Sequence, residues 1–172
     1  MDYLVLACRA LIGLVLLFAA VSKLPGAGFG PFTGTLRRAP LTARFARPLA
    51  AAVVGAEALI PVLLAVPATV PFGFAAAAVL LSGFAVFVAT APAGSSCRCF
   101  GRSDTPVGLR HLVRNAGLAA VAAAGAASGA TGTGHPAGAA VALAAGAAAA
   151  LLVVHSDEII GLFAGPVDRG AS

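Results

Sequence analysis

The chain has 172 residues and a net charge of +5, with 60% hydrophobic and only 10% charged residues. Its mean hydropathy is +1.00. Soluble domains carry about 25% charged residues, so 11 basic and 6 acidic side chains are too few to cover a water-facing surface of this size. The dominance of apolar residues also excludes a disordered chain. The composition therefore predicts an integral membrane protein.

Five apolar segments are candidates for helices that cross a bilayer, which takes about 20 residues each. The predicted segments are 4–22, 48–66, 72–91, 112–130 and 137–154. The first follows an acidic residue, Asp2, rather than basic ones, which favours a retained helix over a cleaved signal peptide. The last two are rich in Ala and Gly, and small residues allow close helix packing in lipid. The predicted fold class is all-α, an integral membrane bundle of four core helices plus a fifth.

The basic residues are concentrated in the first and third loops between these segments. The first loop holds Lys23, Arg37, Arg38, Arg44 and Arg47, and the third region holds Arg98, Arg102, Arg110 and Arg114. In a chain of helical hairpins these two loops share a side, and the positive-inside rule places that side in the cytoplasm. The loops account for the basic charge without nucleic acid, since no aromatic residues interleave with them as on a base-stacking surface.

A pair of cysteines, Cys97 and Cys99, lies in the third loop around Arg98. Nearby cations lower the pKa of a thiol and favour the reactive thiolate. Two cysteines at this spacing close only a strained disulfide ring, and strained disulfides are labile. Three interpretations remain open: a redox-active dithiol, an inert or static pair, and soft-metal ligands helped by His111. One histidine and one Cys-x-Cys do not make a zinc site, so no metal is assigned.

The remaining cysteine, Cys8, lies near the start of the first segment, on the side opposite the basic loops. To reach Cys97 it would have to cross most of a bilayer. It is expected to be a small buried apolar residue.

An acidic residue, Glu57, falls at the middle of the second segment. A carboxylate in the bilayer is costly, so it is expected to face the bundle interior, paired or protonated. Its candidate partners are Ser22, Lys23 and Arg114. Glu57 is either a functional group, as a proton acceptor or a contact for a hydrophobic ligand, or one half of a structural hydrogen bond.

Polar side chains open the fourth segment. They are Arg110, His111, Arg114 and Asn115, which form two pairs at a spacing of four, so each pair shares a helix face. In one interpretation the arginines anchor the helix at the membrane interface. In the other, Arg114 and Asn115 turn inward and orient the cysteine loop, and His111 donates a proton to a leaving thiolate.

Taken in chain order, four features resemble the methylamine utilisation protein MauE family, within the DoxX-like group of small membrane proteins. Residues 18–25, Phe-Ala-Ala-Val-Ser-Lys-Leu-Pro, end the first segment, and Glu57 lies within the second. Residues 97–101, Cys-Arg-Cys-Phe-Gly, follow the third, and Arg114-Asn115 open the fourth. The resemblance covers about 1–130.

The resemblance implies a four-helix membrane bundle that acts in processing, transport or maturation of the small subunit of methylamine dehydrogenase, a disulfide-rich periplasmic protein. It implies that Cys97 and Cys99 are the exchanging thiols. Lys23, Glu57, Arg114 and Asn115 would be supporting polar positions, a role that we infer.

These observations predict a membrane domain at 1–130, a further helix at 131–155 and a short polar tail at 156–172, in a multi-pass protein of the cell membrane. The predicted function is maturation of an exported protein, with thiol-disulfide oxidoreductase activity left open. The alternatives are a transporter or ligand-binding bundle centred on Glu57, or a structural membrane subunit.

The expected partners are membrane lipid and a protein substrate or redox partner. No cofactor is evident, and net oxidation would need a quinone or a partner thiol protein. Disulfide formation belongs outside the cytoplasm, whereas the charge rule places the cysteine loop inside. The sequence leaves this orientation open.

Overall fold

The computed structural model describes residues 2–24, 28–38, 42–90, 109–128 and 135–163. Over these ranges the regular structure is helical throughout, which confirms the predicted all-α class. The α-helices are α1 (Asp2–Ser22), α2 (Phe29–Arg38), α3 (Ala46–Ala65), α4 (Val70–Thr90), α5 (Leu109–Ala127), α6 (Pro136–Val154) and α7 (Ser156–Phe163). Short 3-10 turns at Ala43–Phe45 and Pro67–Thr69 lead into α3 and α4.

Four helical stretches in the described ranges are long and apolar enough to cross a membrane. They are Tyr3–Ser22, Ala43–Ala65, Pro67–Thr90 and Pro136–Val154. Large apolar side chains point away from the bundle; on α4, for example, Phe72 and Val79 are 70% and 75% exposed. Exposed apolar surface of this kind suits lipid, not water. The chain is a multi-pass membrane bundle.

The predicted fourth span differs from the other four. Its helix, α5, begins at Leu109 rather than at 112, and it is not among the stretches that meet the length and apolarity needed to cross a membrane. Four of the first seven residues of α5 are polar, namely Arg110, His111, Arg114 and Asn115, and they lower the mean hydropathy of the helix. It nevertheless packs as a core helix, with Leu118 and Ala122 buried.

The helices α1, α3, α4 and α5 form a four-helix core in which α1 and α4 each pack against both α3 and α5. Near the start of α1, Arg9 donates hydrogen bonds to the carbonyls of Leu64 (2.9 Å) and Ala65 (3.2 Å) at the end of α3. The ring of Phe74, near the start of α4, lies against Gly125 near the end of α5. Consecutive core helices are therefore antiparallel.

The predicted additional helix is present as α6, which packs on the outside of the core alongside α1. The two helices run parallel, since the Tyr3 hydroxyl donates to the His135 carbonyl (3.2 Å) at one end and the rings of Phe18 and His155 lie 6.5 Å apart at the other. Gly146 faces the α1 backbone so closely that a Cβ would overlap the Ala7 carbonyl oxygen. The small residue thus permits the close approach of the helices.

Two helices lie in segments for which the sequence predicted no regular structure. The first loop contains α2, whose Gly and Thr residues are poor helix formers, so its sequence gives little helical signal. Tertiary packing stabilises it, since Phe32 and Leu36, four residues apart, are buried. The segment predicted to be a short polar tail begins with α7. Its first turn contains Asp157 and Glu158, whose negative charges suit the positive end of the helix dipole.

Candidate functional site

One end of the bundle gathers the last turns of α1, α4 and α6 and the first turns of α3 and α5. We call this the basic end. The antiparallel order brings the helix ends that flank the first and third loops to this end, while the 3-10 turn Pro67–Thr69 lies at the other end. The side of the membrane that the basic end faces stays a prediction from the charge rule.

An ion pair between Lys23 and Glu57 is buried inside the bundle. The Lys23 Nζ lies 2.6 Å from the Glu57 Oε1, and the two side chains are 2% and 0% exposed. Glu57 thus faces the interior and is paired, as predicted, and Lys23 is its partner. Lys23 follows the end of α1, but its side chain turns back along the helix, so that Nζ also lies 3.4 Å from the Ala19 carbonyl oxygen.

Two aromatic rings also lie close to the Lys23 ammonium. Its Nζ lies 5.3 Å from the ring centroid of Phe32, on α2, and 5.7 Å from that of Phe84, on α4. At these distances a cation is attracted to the electron-rich face of the ring. Groups from α1, α2, α3 and α4 therefore converge on one charge. Neither ring could be identified from the sequence, because a phenylalanine carries no signal of its tertiary partner.

A second polar cluster lies where α5 begins and α7 passes. The Arg114 guanidinium donates to the Asp157 carboxylate at 3.2 Å and to the His111 Nδ1 at 3.1 Å. The Asn115 side-chain amide, which is fully buried, donates to the His111 carbonyl at 2.9 Å. The side chains of His111, Arg114 and Asn115 thus turn inward, whereas Arg110 is exposed. That they orient the cysteine loop stays a prediction.

This geometry fixes the protonation of His111. A guanidinium can only donate, so the His111 Nδ1 must accept, and the ring proton sits on Nε2. Burial lowers the pKa of His111, and the positive charge of Arg114 lowers it further, which favours the same neutral form. His111 therefore presents a neutral imidazole with one remaining N–H donor.

Two acceptors in these clusters have no hydrogen-bond partner among the described residues. They are the Oε2 of Glu57 and the Oδ1 of Asn115. Both belong to side chains that are 0% exposed. Across the same ranges, no three His, Cys, Asp or Glu side chains come together in a group that could hold a metal ion.

The predicted thiols, Cys97 and Cys99, lie outside the described residues. The segment that carries them joins Thr90, which ends α4, to Leu109, which begins α5, and both of these residues lie at the basic end. Cys8 is a half-buried free cysteine on α1 that packs against the core, near the opposite end.

An all-helical bundle with long apolar spans and inward-facing charged pairs toward one end defines a small multi-pass membrane protein. A family model described as "Methylamine utilisation protein MauE" matches residues 1–128. The chain belongs to the MauE family. No match was found among curated proteins or among solved structures. The family match spans α1 to α5, so α6 and α7 lie beyond it.

Proposed function

We propose that this MauE-family protein assists the maturation of an exported protein by thiol-disulfide exchange at Cys97 and Cys99. The observation that supports the proposal is that the cysteine-bearing segment follows Thr90 at the basic end and leads to Leu109, which begins the helix that carries His111 and Arg114. The family's name points to methylamine utilisation. The substrate that we propose is the disulfide-rich small subunit of methylamine dehydrogenase.

The proposed exchange begins when the thiolate of Cys97 or Cys99 attacks a substrate disulfide. The S–S bond breaks, a mixed disulfide forms, and one substrate cysteine leaves as a thiolate. Another substrate thiolate then attacks the substrate sulfur of the mixed disulfide, forms a new substrate disulfide and releases the thiolate of this protein. The cycle rearranges disulfides with no net transfer of electrons, so it needs no oxidant.

Net oxidation of a substrate dithiol would differ in its electron balance. It would leave Cys97 and Cys99 reduced, and a partner that accepts two electrons, such as a quinone or the disulfide of a thiol protein, would have to reoxidise them. In either case a leaving thiolate is stabilised by a nearby hydrogen-bond donor. The Nε2–H of His111 is our candidate, because Arg114 already occupies Nδ1.

The proposal is tested by Cys97→Ser and Cys99→Ser, each made in a Cys8→Ser background that serves as the matched control. We expect both variants to insert normally and to lose maturation of the substrate. One of them should accumulate a mixed disulfide with the substrate, visible on a non-reducing gel and removed by reductant. Full maturation by both single variants would refute the proposal.

Orientation is tested in the same Cys8→Ser background. Intact cells are treated first with a mild reductant and then with a membrane-impermeant maleimide. Labelling of Cys97 and Cys99 before lysis would place the basic end outside, where disulfides persist, and would contradict the charge rule. Labelling only after lysis would place the exchange in the cytoplasm and exclude a periplasmic substrate.

A further inference from the structure

The basic end carries four exposed arginines that belong to neither polar cluster. Arg37 and Arg38 lie in the last turn of α2, and Arg44 and Arg47 lie at the start of α3. The two segments are in contact, and the Thr42 hydroxyl donates to the Leu36 carbonyl, which ties the connection back to α2. We call these four residues the arginine face.

No internal acid neutralises the arginine face in the described ranges. The sequence has no Asp or Glu between Asp2 and Glu57. Glu57 is buried against Lys23, Asp157 pairs with Arg114, and Glu158 pairs with His155. Within the described ranges, the four positive charges therefore have no acidic partner.

The position of the arginine face matches the boundary of the hydrocarbon. The apolar stretch that includes α3 begins at Ala43, so Arg44 and Arg47 lie where that stretch enters the membrane. Phe45, between them, is 61% exposed, and the Arg44 guanidinium lies 5.9 Å from the centroid of its ring. An exposed aromatic beside basic residues is typical of a surface at the level of lipid headgroups.

The helix α2 supports this placement. Its inner side buries Phe32, Thr33, Thr35 and Leu36, while Arg37 and Arg38 remain exposed. The two threonine hydroxyls donate to backbone carbonyls of the same helix, which satisfies them without water. The buried face holds α2 against α3, so Arg37 and Arg38 are held on the outer side of the bundle.

We propose that the arginine face of this protein binds the phosphate headgroups of anionic phospholipids. Guanidinium groups match phosphate oxygens in a planar, two-point geometry and keep their charge at any physiological pH. Lipid headgroups are the source of phosphate that this position favours, since the face lies beside a membrane span. The binding is independent of the thiol chemistry proposed above.

Lipid binding is tested on the full chain purified in a neutral detergent. Equal amounts of phosphatidylglycerol and phosphatidylcholine with the same acyl chains are added, and the retained lipids are counted by native mass spectrometry. We expect the wild type to retain the anionic lipid preferentially. Each arginine lost should lower the affinity for it about fivefold at low salt.

The fourfold variant Arg37→Gln/Arg38→Gln/Arg44→Gln/Arg47→Gln is expected to lose the preference. The matched control replaces the same four positions by Lys, which keeps the charge and should retain most of it. Helix content by circular dichroism verifies that all variants fold. Retention of both lipids alike by the wild type, an unchanged preference in the Gln variant, or displacement of the lipid by millimolar inorganic phosphate would each overturn the proposal.

Discussion

The substitution Glu57→Gln tests whether the buried ion pair stabilises the bundle. Glutamine keeps the shape of the side chain and one oxygen that can accept from Lys23, but it removes the negative charge. Because both side chains are at most 2% exposed, the pair belongs with buried ion pairs rather than with surface ones. Removing one partner of a buried pair costs about 3–5 kcal/mol. We expect Glu57→Gln to lower the free energy of unfolding by about that amount.

A double variant separates the interaction between Lys23 and Glu57 from the effect of each single substitution on its surroundings. Lys23→Met alone leaves a carboxylate buried without its partner and should cost a similar amount. Lys23→Met combined with Glu57→Leu removes both charges, and methionine packs well against the rings of Phe32 and Phe84. Replacing a buried pair by apolar residues is neutral or stabilising by about 1–4 kcal/mol. The double variant should therefore be as stable as the wild type or more stable.

The measurement is unfolding in mixed micelles, followed by circular dichroism as the fraction of denaturing detergent rises. Glu158→Gln is the control, since the Glu158 side chain is 79% exposed and its loss should change nothing measurable. A cost for Glu57→Gln below about 0.5 kcal/mol, or single costs that simply add in the double variant, would refute the reasoning. Normal stability with lost function would instead favour the ligand-binding alternative for Glu57.

Two further substitutions test how α6 and α7 attach to the core. Gly146→Ala places a methyl group against the α1 backbone and should cost about 1–3 kcal/mol in the same unfolding assay. The control is Gly83→Ala, at an open position, which should not destabilise the protein. Equal effects of the two substitutions would contradict the close packing of α6 on α1. Asp157→Asn removes the charged partner of Arg114 and should cost about 1.5–3 kcal/mol, while the nearby Glu158→Gln should cost nothing measurable; no difference between them would contradict the pairing.

The long apolar helices could be predicted from the sequence because their signal is local. A run of about 20 apolar residues can satisfy its backbone in lipid only as a helix, whatever surrounds it. The helix α2 could not be predicted in this way, because Phe32 and Leu36 are buried only where another helix covers them. Nor could α7 be predicted, since it is tied to the core by the ion pair of Asp157 with a residue 43 positions away.

The candidate site could likewise be predicted from the sequence only in part. The cost of burying a charge was enough to predict that Glu57 faces the interior with a partner. The choice of Lys23 over Ser22 and Arg114 needed the tertiary structure. A lysine at the end of a span normally extends outward to the interface. Here it turns inward to the Glu57 carboxylate, and the rings of Phe32 and Phe84 lie within 6 Å of its Nζ.

The helices beyond the family match bear on the proposed chemistry. Asp157, on α7, contacts Arg114, which in turn holds the Nδ1 of His111 within the matched residues. If the His111 Nε2–H donates the hydrogen bond to the leaving thiolate, Asp157 acts on it through Arg114 as a positioning residue. Asp157→Asn should then slow the formation of the mixed disulfide trapped with the Cys97 or Cys99 variant, and Asp157→Glu should restore it. A loss of stability with an unchanged trapping rate would show that α7 only anchors the fold.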